Sequence, residues 1–429
     1  MIEQMTNAGG KKQVYDKYVM DNGLMVMGEN IPHFRSASVG LWVRSGSVNE
    51  GNADNGYSHF IEHMLFKGTE SRTARQIAEE MDRIGGQMNA FTSKECTCYY
   101  VKVMDEHLPL AMDLISDLAL HATFDAEEME KEKSVIGEEI SMVEDQPEDL
   151  VHELLAEAHF GAHPLARTIL GPAENVQQAT RDDLMAFMAG KYRPANAVLS
   201  VAGRYDADHV KELAEKYFGG WAKGALKTAE LPGDAHAREI RVREKPIEQT
   251  HLCIGFPGIK HGEDESYALS VLNNALGGGM SSRLFQRIRE ENGMAYSVYS
   301  YPSSYTPCGM FTIYAGTAPR NAQTVVGMIG EEIRRFLKEG IGEQEFTDAR
   351  EQLKGGYTLG QESTSARMTA IGRSQLMLGR VQTEDDVLRK IEAVTRDDVM
   401  RLAQSIFSQP YSASCVGPDV KLDFAPIGE

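Results

Sequence analysis

The stretch Ser58-His59-Phe60-Ile61-Glu62-His63-Met64-Leu65-Phe66-Lys67-Gly68-Thr69 governs how the rest of the chain is read. At about 100° per residue, two histidines four apart lie roughly 40° from each other on a helix, so both rings can reach one ion. Glu62 is adjacent to His63 and three after His59, near enough to the same face to touch a water on that ion. Two histidines do not complete such a site, because catalytic zinc takes three protein ligands and a water.

The third ligand must come from elsewhere, and residues 127–144 offer a place for it. They read Glu-Glu-Met-Glu-Lys-Glu-Lys-Ser-Val-Ile-Gly-Glu-Glu-Ile-Ser-Met-Val-Glu. Met129, Val135, Ile136, Ile140 and Val143 recur at three- and four-residue steps, which predicts a helix with a buried stripe. Glu132 and Glu139, seven apart, fall within roughly 20° of each other on that helix. Glu139 stands 76 positions after His63 (139 − 63). The order H-x-x-E-H inverts the commoner H-E-x-x-H of zinc proteases and has its own metalloprotease reading.

This combination resembles the pitrilysin/insulinase metallopeptidases. Val135-Ile136-Gly137-Glu138-Glu139-Ile140 is most similar to the branch containing mitochondrial processing peptidase and its bacterial relatives. The resemblance implies one zinc ion per chain, held by His59, His63 and Glu139. It makes Glu62 the general base and Glu132 a supporting acid behind the ligands. Glu138 lies about 100° around the helix from Glu139, and the family's glutamate matches the second of the pair.

The composition bounds the remaining classes. A chain of 429 residues is long for a single core, so two or more domains are expected. With 42% hydrophobic and 25% charged residues it reads as a soluble globular protein. A net charge of −19 argues against nucleic acid, whose phosphates demand lysine and arginine, and is compatible with a cavity that attracts basic peptides. Residues 1–12 contain no apolar segment of a secretory signal, and no run reaches the ~18 apolar residues of a membrane span. The five cysteines (Cys96, Cys98, Cys253, Cys308, Cys415) form no disulfide framework, and Cys96 and Cys98 read as buried thiols on one strand face. The expected compartment is a reducing cytoplasm.

Along the chain, residues 13–30 read as a strand pair around Asn22-Gly23, and 36–46 as a further strand. A loop over 47–55 leads into the motif helix, with Asp54 or Asn55 as its N-cap. A helix over 73–84 closes at Gly85-Gly86, and a strand-rich stretch runs from Gln87 to Val103. By resemblance, Asn89 and Ala90 lie on the family's edge strand, where a peptide substrate adds itself through main-chain hydrogen bonds. Helices over 107–121, 125–145 and 147–159 follow, then 181–191, a strand at 197–203 and a helix at 208–218. His159-Phe-Gly-Ala-His163 also spaces two histidines by four, but Gly161 and Pro164 predict a turn carrying surface histidines. His121 and His152 read as packing or solvated residues.

Residues 219–238 lack periodicity and have linker composition, after which the plan restarts. Strands at 239–244 and 250–256 precede helices at 263–276 and 281–292. Strands at 295–303 and 308–315 then lead to helices at 321–338 and 343–360. This is a duplication with a period of roughly 200 residues. The expected organisation is α+β. A zinc-binding domain spans 1–220, a linker 221–238, and a homologous domain 239–429, each with a mixed or antiparallel sheet covered by helices. The two are expected to close like a clam-shell.

The second copy has no H-x-x-E-H; its corresponding helix reads Ser270-Val-Leu-Asn-Asn-Ala-Leu276. The family pairs an arginine and a tyrosine seven apart in this half, matched here by Arg289 and Tyr296, which the resemblance assigns to a substrate carbonyl and to the oxyanion. Gly277-Gly278-Gly279-Met280-Ser281 matches the family's glycine-rich loop. The resemblance thus implies an endopeptidase for unstructured peptides or extended segments, working as a homodimer or with a heteropartner. The alternative is a catalytically silent structural subunit of the same family.

Overall fold

The computed structural model describes residues 3–5, 15–224, 231–233, 236–418 and 420–428. The expected linker 221–238 therefore lies partly outside the described residues, as do positions 13 and 14 of the first expected strand pair. Among the described residues, twelve strands form two sheets. The strands are β1 (Glu3–Met5), β2 (Tyr15–Val19), β3 (Met25–Asn30), β4 (Ser36–Val43), β5 (Gln87–Thr92), β6 (Thr97–Met104), β7 (Ala197–Gly203), β8 (Ile240–Glu244), β9 (Thr250–Gly258), β10 (Ala295–Ser304), β11 (Gly309–Thr317) and β12 (Ser412–Gly417). The first sheet runs β1-β2-β3-β7-β4-β6-β5 and the second β10-β11-β9-β12-β8.

The duplication is written in the strand pairing. In the first sheet, β4 is antiparallel to both β6 and β7, β5 to β6, and β3 is parallel to β7. In the second, β9 is antiparallel to both β11 and β12, β10 to β11, and β8 is parallel to β12. Five strands thus repeat in order and direction, with one parallel pair in each otherwise antiparallel set.

The helices are α1 (Tyr57–Leu65), α2 (Ala74–Arg83), α3 (Leu108–His121), α4 (Ala126–Asp145), α5 (Pro147–Phe160), α6 (Ala173–Gln178), α7 (Arg181–Lys191), α8 (Ala207–Phe218), α9 (Glu265–Leu276), α10 (Ala322–Glu339), α11 (Glu343–Gly360), α12 (Thr364–Leu378), α13 (Glu384–Ala393) and α14 (Arg396–Phe407). Where a single helix over 281–292 was expected, residues Phe285–Glu291 wind as a π-helix.

The chain folds into two compact units that are not simply its two halves. One comprises Met1–Ile140, Thr168–Glu230 and Thr358–Asp385; the other comprises Ser141–Arg167, Leu231–Tyr357 and Asp386–Glu429. In the first unit the core lies between the sheet and α1, α3 and α8, with Val39, Leu41, Phe60, Met64, Val101 and Leu114 fully buried. The opposite face, around Trp42, Cys96 and Cys98, is covered by Met368 and Ile371 of α12. Both cysteines are buried there as expected, but only Cys98 lies on β6; Cys96 stands in the turn just before it. α12 is pinned by Ser38 Oγ to Thr364 Oγ1 at 2.8 Å and by Arg367 to the buried Glu29 at 2.7 Å. In the second unit α5 takes the equivalent place on the sheet, where Ser414 Oγ donates to the Val151 carbonyl at 2.7 Å. Each sheet is therefore closed by a helix from the other half of the sequence. A sheet with one bare apolar face would leave that face in water, and the covering helix removes it.

The histidines at 159 and 163 differ from expectation. His159 is 1% exposed and His163 is 4% exposed, both buried rather than on the surface. Gly161 turns the chain with φ +56°, and the segment after the turn packs inward instead of outward. His163 Nε2 approaches the Pro232 carbonyl at 3.1 Å, and His159 Nε2 lies 3.1 Å from His236 Nδ1. Burial first, and then the neighbouring His236, lower the His159 pKa to about 3.

Candidate metal centre

α1 carries the motif, and its start is not built as expected. Neither Asp54 nor Asn55 caps it. The N-cap is Gly56, at φ +104° and without a side chain. That backbone region is open mainly to glycine, and a Cβ at Gly56 would stand 2.6 Å from the Leu170 carbonyl oxygen. At the helix start Tyr57 N–H donates to the Asp54 carbonyl at 3.1 Å, and the N–H groups on either side of it are served by Glu50, which is only 4% exposed. Gly56 N–H donates to Glu50 Oε2 at 2.9 Å and Ser58 N–H to Oε1 at 2.7 Å. Asn55 Nδ2 adds a third bond to Oε2 at 2.9 Å. A carboxylate at a helix N-terminus completes orphan donors and meets the positive end of the dipole. Burial raises the Glu50 pKa, and these hydrogen bonds pull against it. Sequence reading missed Glu50 because it lies six residues before the cap, outside any capping pattern.

From this fixed start, His59 and His63 present their rings 4.6 Å apart, tilted at 62°. α4 brings Glu139 to them. Its Oε2 lies 3.6 Å from His59 Nε2 and 3.6 Å from His63 Nε2. Two ligands on a tetrahedral ion with bonds of about 2.1 Å sit about 3.4 Å apart, so the spacing fits one zinc-sized cation. His59, His63 and Glu139 form the one group of three or more such donors among the described residues able to hold an ion together. The donors are also in a suitable form. Burial, with the adjacent His63, lowers the His59 pKa to about 3 and keeps that imidazole neutral, as ligation requires. His59 Nδ1 is buried without a hydrogen-bond partner.

The supporting groups are in place around this trio. His63 Nδ1 lies 2.9 Å from Glu132 Oε2, which turns Nε2 towards Glu139. Glu132 is 4% exposed, and its other oxygen pairs with Lys67 Nζ. Glu138 points to solvent. On α4 the buried residues are Met129, Glu132, Lys133 and Ile136, while Val135, expected in the stripe, is exposed. The helix uses its i, i+3, i+4, i+7 face to carry Glu132, and Val135 falls beside it. Glu62 sits on the motif helix with Oε2 accepting from Thr92 Oγ1 at 2.5 Å. Burial raises the Glu62 pKa, opposed by the Thr92 bond and by His63, while Glu139 adds to the rise.

The remaining site residues fall as follows. Asn89 and Ala90 lie on β5, which among the described residues pairs only with β6 and so forms an edge of its sheet. The Ala90 N–H donates to Asn89 Oδ1 at 2.8 Å. In the second unit, Arg289 belongs to the π-helical turn and Tyr296 to β10. The Arg289 guanidinium lies over both the Phe285 ring (4.8 Å) and the Tyr296 ring (5.2 Å), and Tyr296 is 76% exposed. The fold therefore gathers His59, His63, Glu139, Glu62 and Glu132 into one cluster and joins Arg289 to Tyr296 in another.

A duplicated α+β chain with one inverted histidine motif facing a distant glutamate defines a peptidase class. Residues 25–173 match the family described as Insulinase (Peptidase family M16), and residues 178–353 match the Peptidase M16 inactive domain. The second match covers the copy without the motif. An "uncharacterized zinc protease", YmxG, of Bacillus subtilis is 45% identical over 403 residues, 94% of this chain and 98% of its own length. Another "uncharacterized zinc protease", of Streptomyces coelicolor, is 40% identical over 93% of this chain and 88% of its own. The chain belongs to the insulinase family, peptidase family M16. Its fold is also that of a crystallised Helicobacter pylori protease (TM-score 0.88, 22% identity, 94% of this chain and 99% of that one). A Pseudomonas fluorescens structure titled as a peptidase M16 inactive domain agrees equally well (TM-score 0.88, 22% identity, 95% and 99%). Among the described residues, no helix is long and apolar enough to cross a membrane.

Proposed function

We propose that this chain is a zinc-dependent endopeptidase, similar to the processing peptidases, that hydrolyses unstructured peptides or extended segments. The observation that carries the reading is the convergence of His59 Nε2, His63 Nε2 and Glu139 Oε2 at 3.6 Å beside the Glu62 carboxylate. Bound there, zinc would supply a Lewis acid and lower the pKa of a water towards ~7. The protein's own groups do the rest. Glu62 accepts the proton of the attacking water on a carboxylate oxygen and returns it to the nitrogen of the leaving amine. Glu132 holds the His63 ring in one orientation, and Lys67 holds Glu132. The open edge of β5, with Asn89 and Ala90, takes the peptide as an added strand, for which the Ala90 N–H must leave the Asn89 side chain. Arg289 binds a substrate carbonyl. Tyr296 donates to the oxygen that becomes negative as the carbonyl carbon turns tetrahedral, and its exposure leaves it accessible.

The test is metal analysis with peptide hydrolysis before and after chelation, alongside Glu62→Gln. The variant keeps its zinc and loses turnover by about 10²–10⁴-fold, the range of general-base catalysis. A protein that binds no zinc and cleaves nothing would instead support the silent-subunit reading. A homodimer in a reducing cytoplasm is the proposed state, in keeping with five buried thiols. Light scattering that gives a monomer would exclude the dimer.

A further inference from the structure

We propose that Thr92 is a positioning residue for the general base, tying the Glu62 carboxylate to the end of the edge strand that receives substrate. This deepens the reading above and rests on it. Glu62 is a long side chain on α1 with three rotatable bonds, and a base must stay within hydrogen-bond reach of the proton it takes. The group that restrains it does not come from α1. Thr92, the last residue of β5, donates its hydroxyl proton to Glu62 Oε2 at 2.5 Å, and its backbone N–H also faces that carboxylate.

The anchor is itself rigid. Thr92 pairs with Thr97 across the β5–β6 hairpin, their hydroxyl oxygens 3.3 Å apart. Thr97 is fully buried and commits its own proton to the Ser45 carbonyl at 2.8 Å, so the Thr92 proton is left to Glu62. The turn between them is stapled by Ser93. Its Oγ donates to the Cys96 carbonyl at 2.9 Å and accepts from the Cys96 N–H at 3.1 Å. Its N–H donates to the Cys96 carbonyl at 2.8 Å. Both contacts from Thr92 fix the base from the strand side. A peptide that pairs with β5 in register is thereby aligned against the same residue that aims the base. One carboxylate oxygen is held and the other takes the proton.

The experiment compares wild type with Thr92→Val, Thr92→Ser and Glu62→Gln in the full chain, using a fluorogenic peptide. Valine keeps the β-branched shape and the backbone N–H but removes the hydroxyl; serine keeps the hydroxyl. Thr92→Val should lower kcat by about 10- to 100-fold, the size expected for a misplaced catalytic group. KM, zinc content and melting temperature should stay near wild type, and Thr92→Ser should recover most of the activity. Crystal structures of the metal-free proteins add a readout apart from turnover, with Glu62 in one rotamer in wild type and displaced or multiple in Thr92→Val. The inference is overturned if Thr92→Val turns over like wild type, if serine is as impaired as valine, or if Glu62 keeps its rotamer. An active Glu62→Gln would sink the peptidase mechanism itself. An inactive Glu62→Gln beside a fully active Thr92→Val would remove the Thr92 role alone.

Discussion

Replacing Glu50 tests how the motif helix is started. Its carboxylate accepts three N–H hydrogen bonds, two on Oε2 from Asn55 and Gly56 and one on Oε1 from Ser58, and the Ser58 hydroxyl bonds to it as well. Glutamine has the same shape but one oxygen. The cheapest arrangement keeps that oxygen where two donors meet and turns the amide towards Ser58 N–H, donor against donor. One buried N–H then goes unsatisfied, at about 1–3 kcal/mol. Glu50→Ala orphans the three N–H donors and removes the charge from the helix start, for about 3–5 kcal/mol once water partly fills the gap. The cost of removal is not the net worth of the charge, because burial already works against the ionised form. For a body of this size each kcal/mol lowers Tm by about 2–4 °C, so the alanine variant should melt roughly 6–20 °C early. The scan belongs on metal-free protein, since bound zinc adds stability by mass action. A second measurement, zinc affinity by chelator competition, should weaken in the same order, because His59 stands three residues after Gly56. If Glu50→Ala melts within about 1 °C of wild type, the carboxylate does not hold this helix and the reasoning fails.

Further outcomes follow from the surrounding residues. Glu132→Gln should bind zinc about 10- to 100-fold more weakly, as expected when the partner of a ligating histidine is lost; an unchanged affinity would show that the His63 bond does no orienting. Tyr296→Phe should lower kcat by about 10²-fold with little change in zinc content, and unaltered turnover would remove Tyr296 from oxyanion binding. The buried His159 predicts a pH dependence of stability. Its folded pKa of about 3 lies below the ordinary 6.5, so between those values the unfolded chain binds a proton the folded one refuses. Stability is then complete above pH 6.5 and falls as pH drops, by about 2 kcal/mol at pH 5 at 1.36 kcal/mol per unit. Denaturant unfolding of His159→Asn should show a slope flatter by that amount between pH 6.5 and 5, and an identical slope would contradict the neutral assignment.

Short-range geometry explains what could be read without coordinates. Helical periodicity alone places His59, Glu62 and His63 on one side of a turn and Glu132 and Glu139 on one side of another. The repeated order of strand and helix signals likewise matches two sheets that share five strands in the same sequence and sense. Even here burial corrected detail, since Val135 fits the apolar spacing yet faces solvent because the buried face is spent on Glu132.

What the chain alone determined, then, is the inventory of local segments and the residues each can present, because those depend on rotation per residue and turn chemistry between near neighbours. Tertiary structure decided which segments meet. It set Glu50 under the start of α1, Glu132 behind His63, Thr92 against Glu62, and Arg289 between Phe285 and Tyr296. It also sent α5 and α12 each to the sheet of the other half, and buried His159 and His163, which spacing leaves on the surface. Contacts across tens or hundreds of residues are chosen by which apolar faces need covering and which buried polar groups need partners. Those demands exist only once the whole chain has packed.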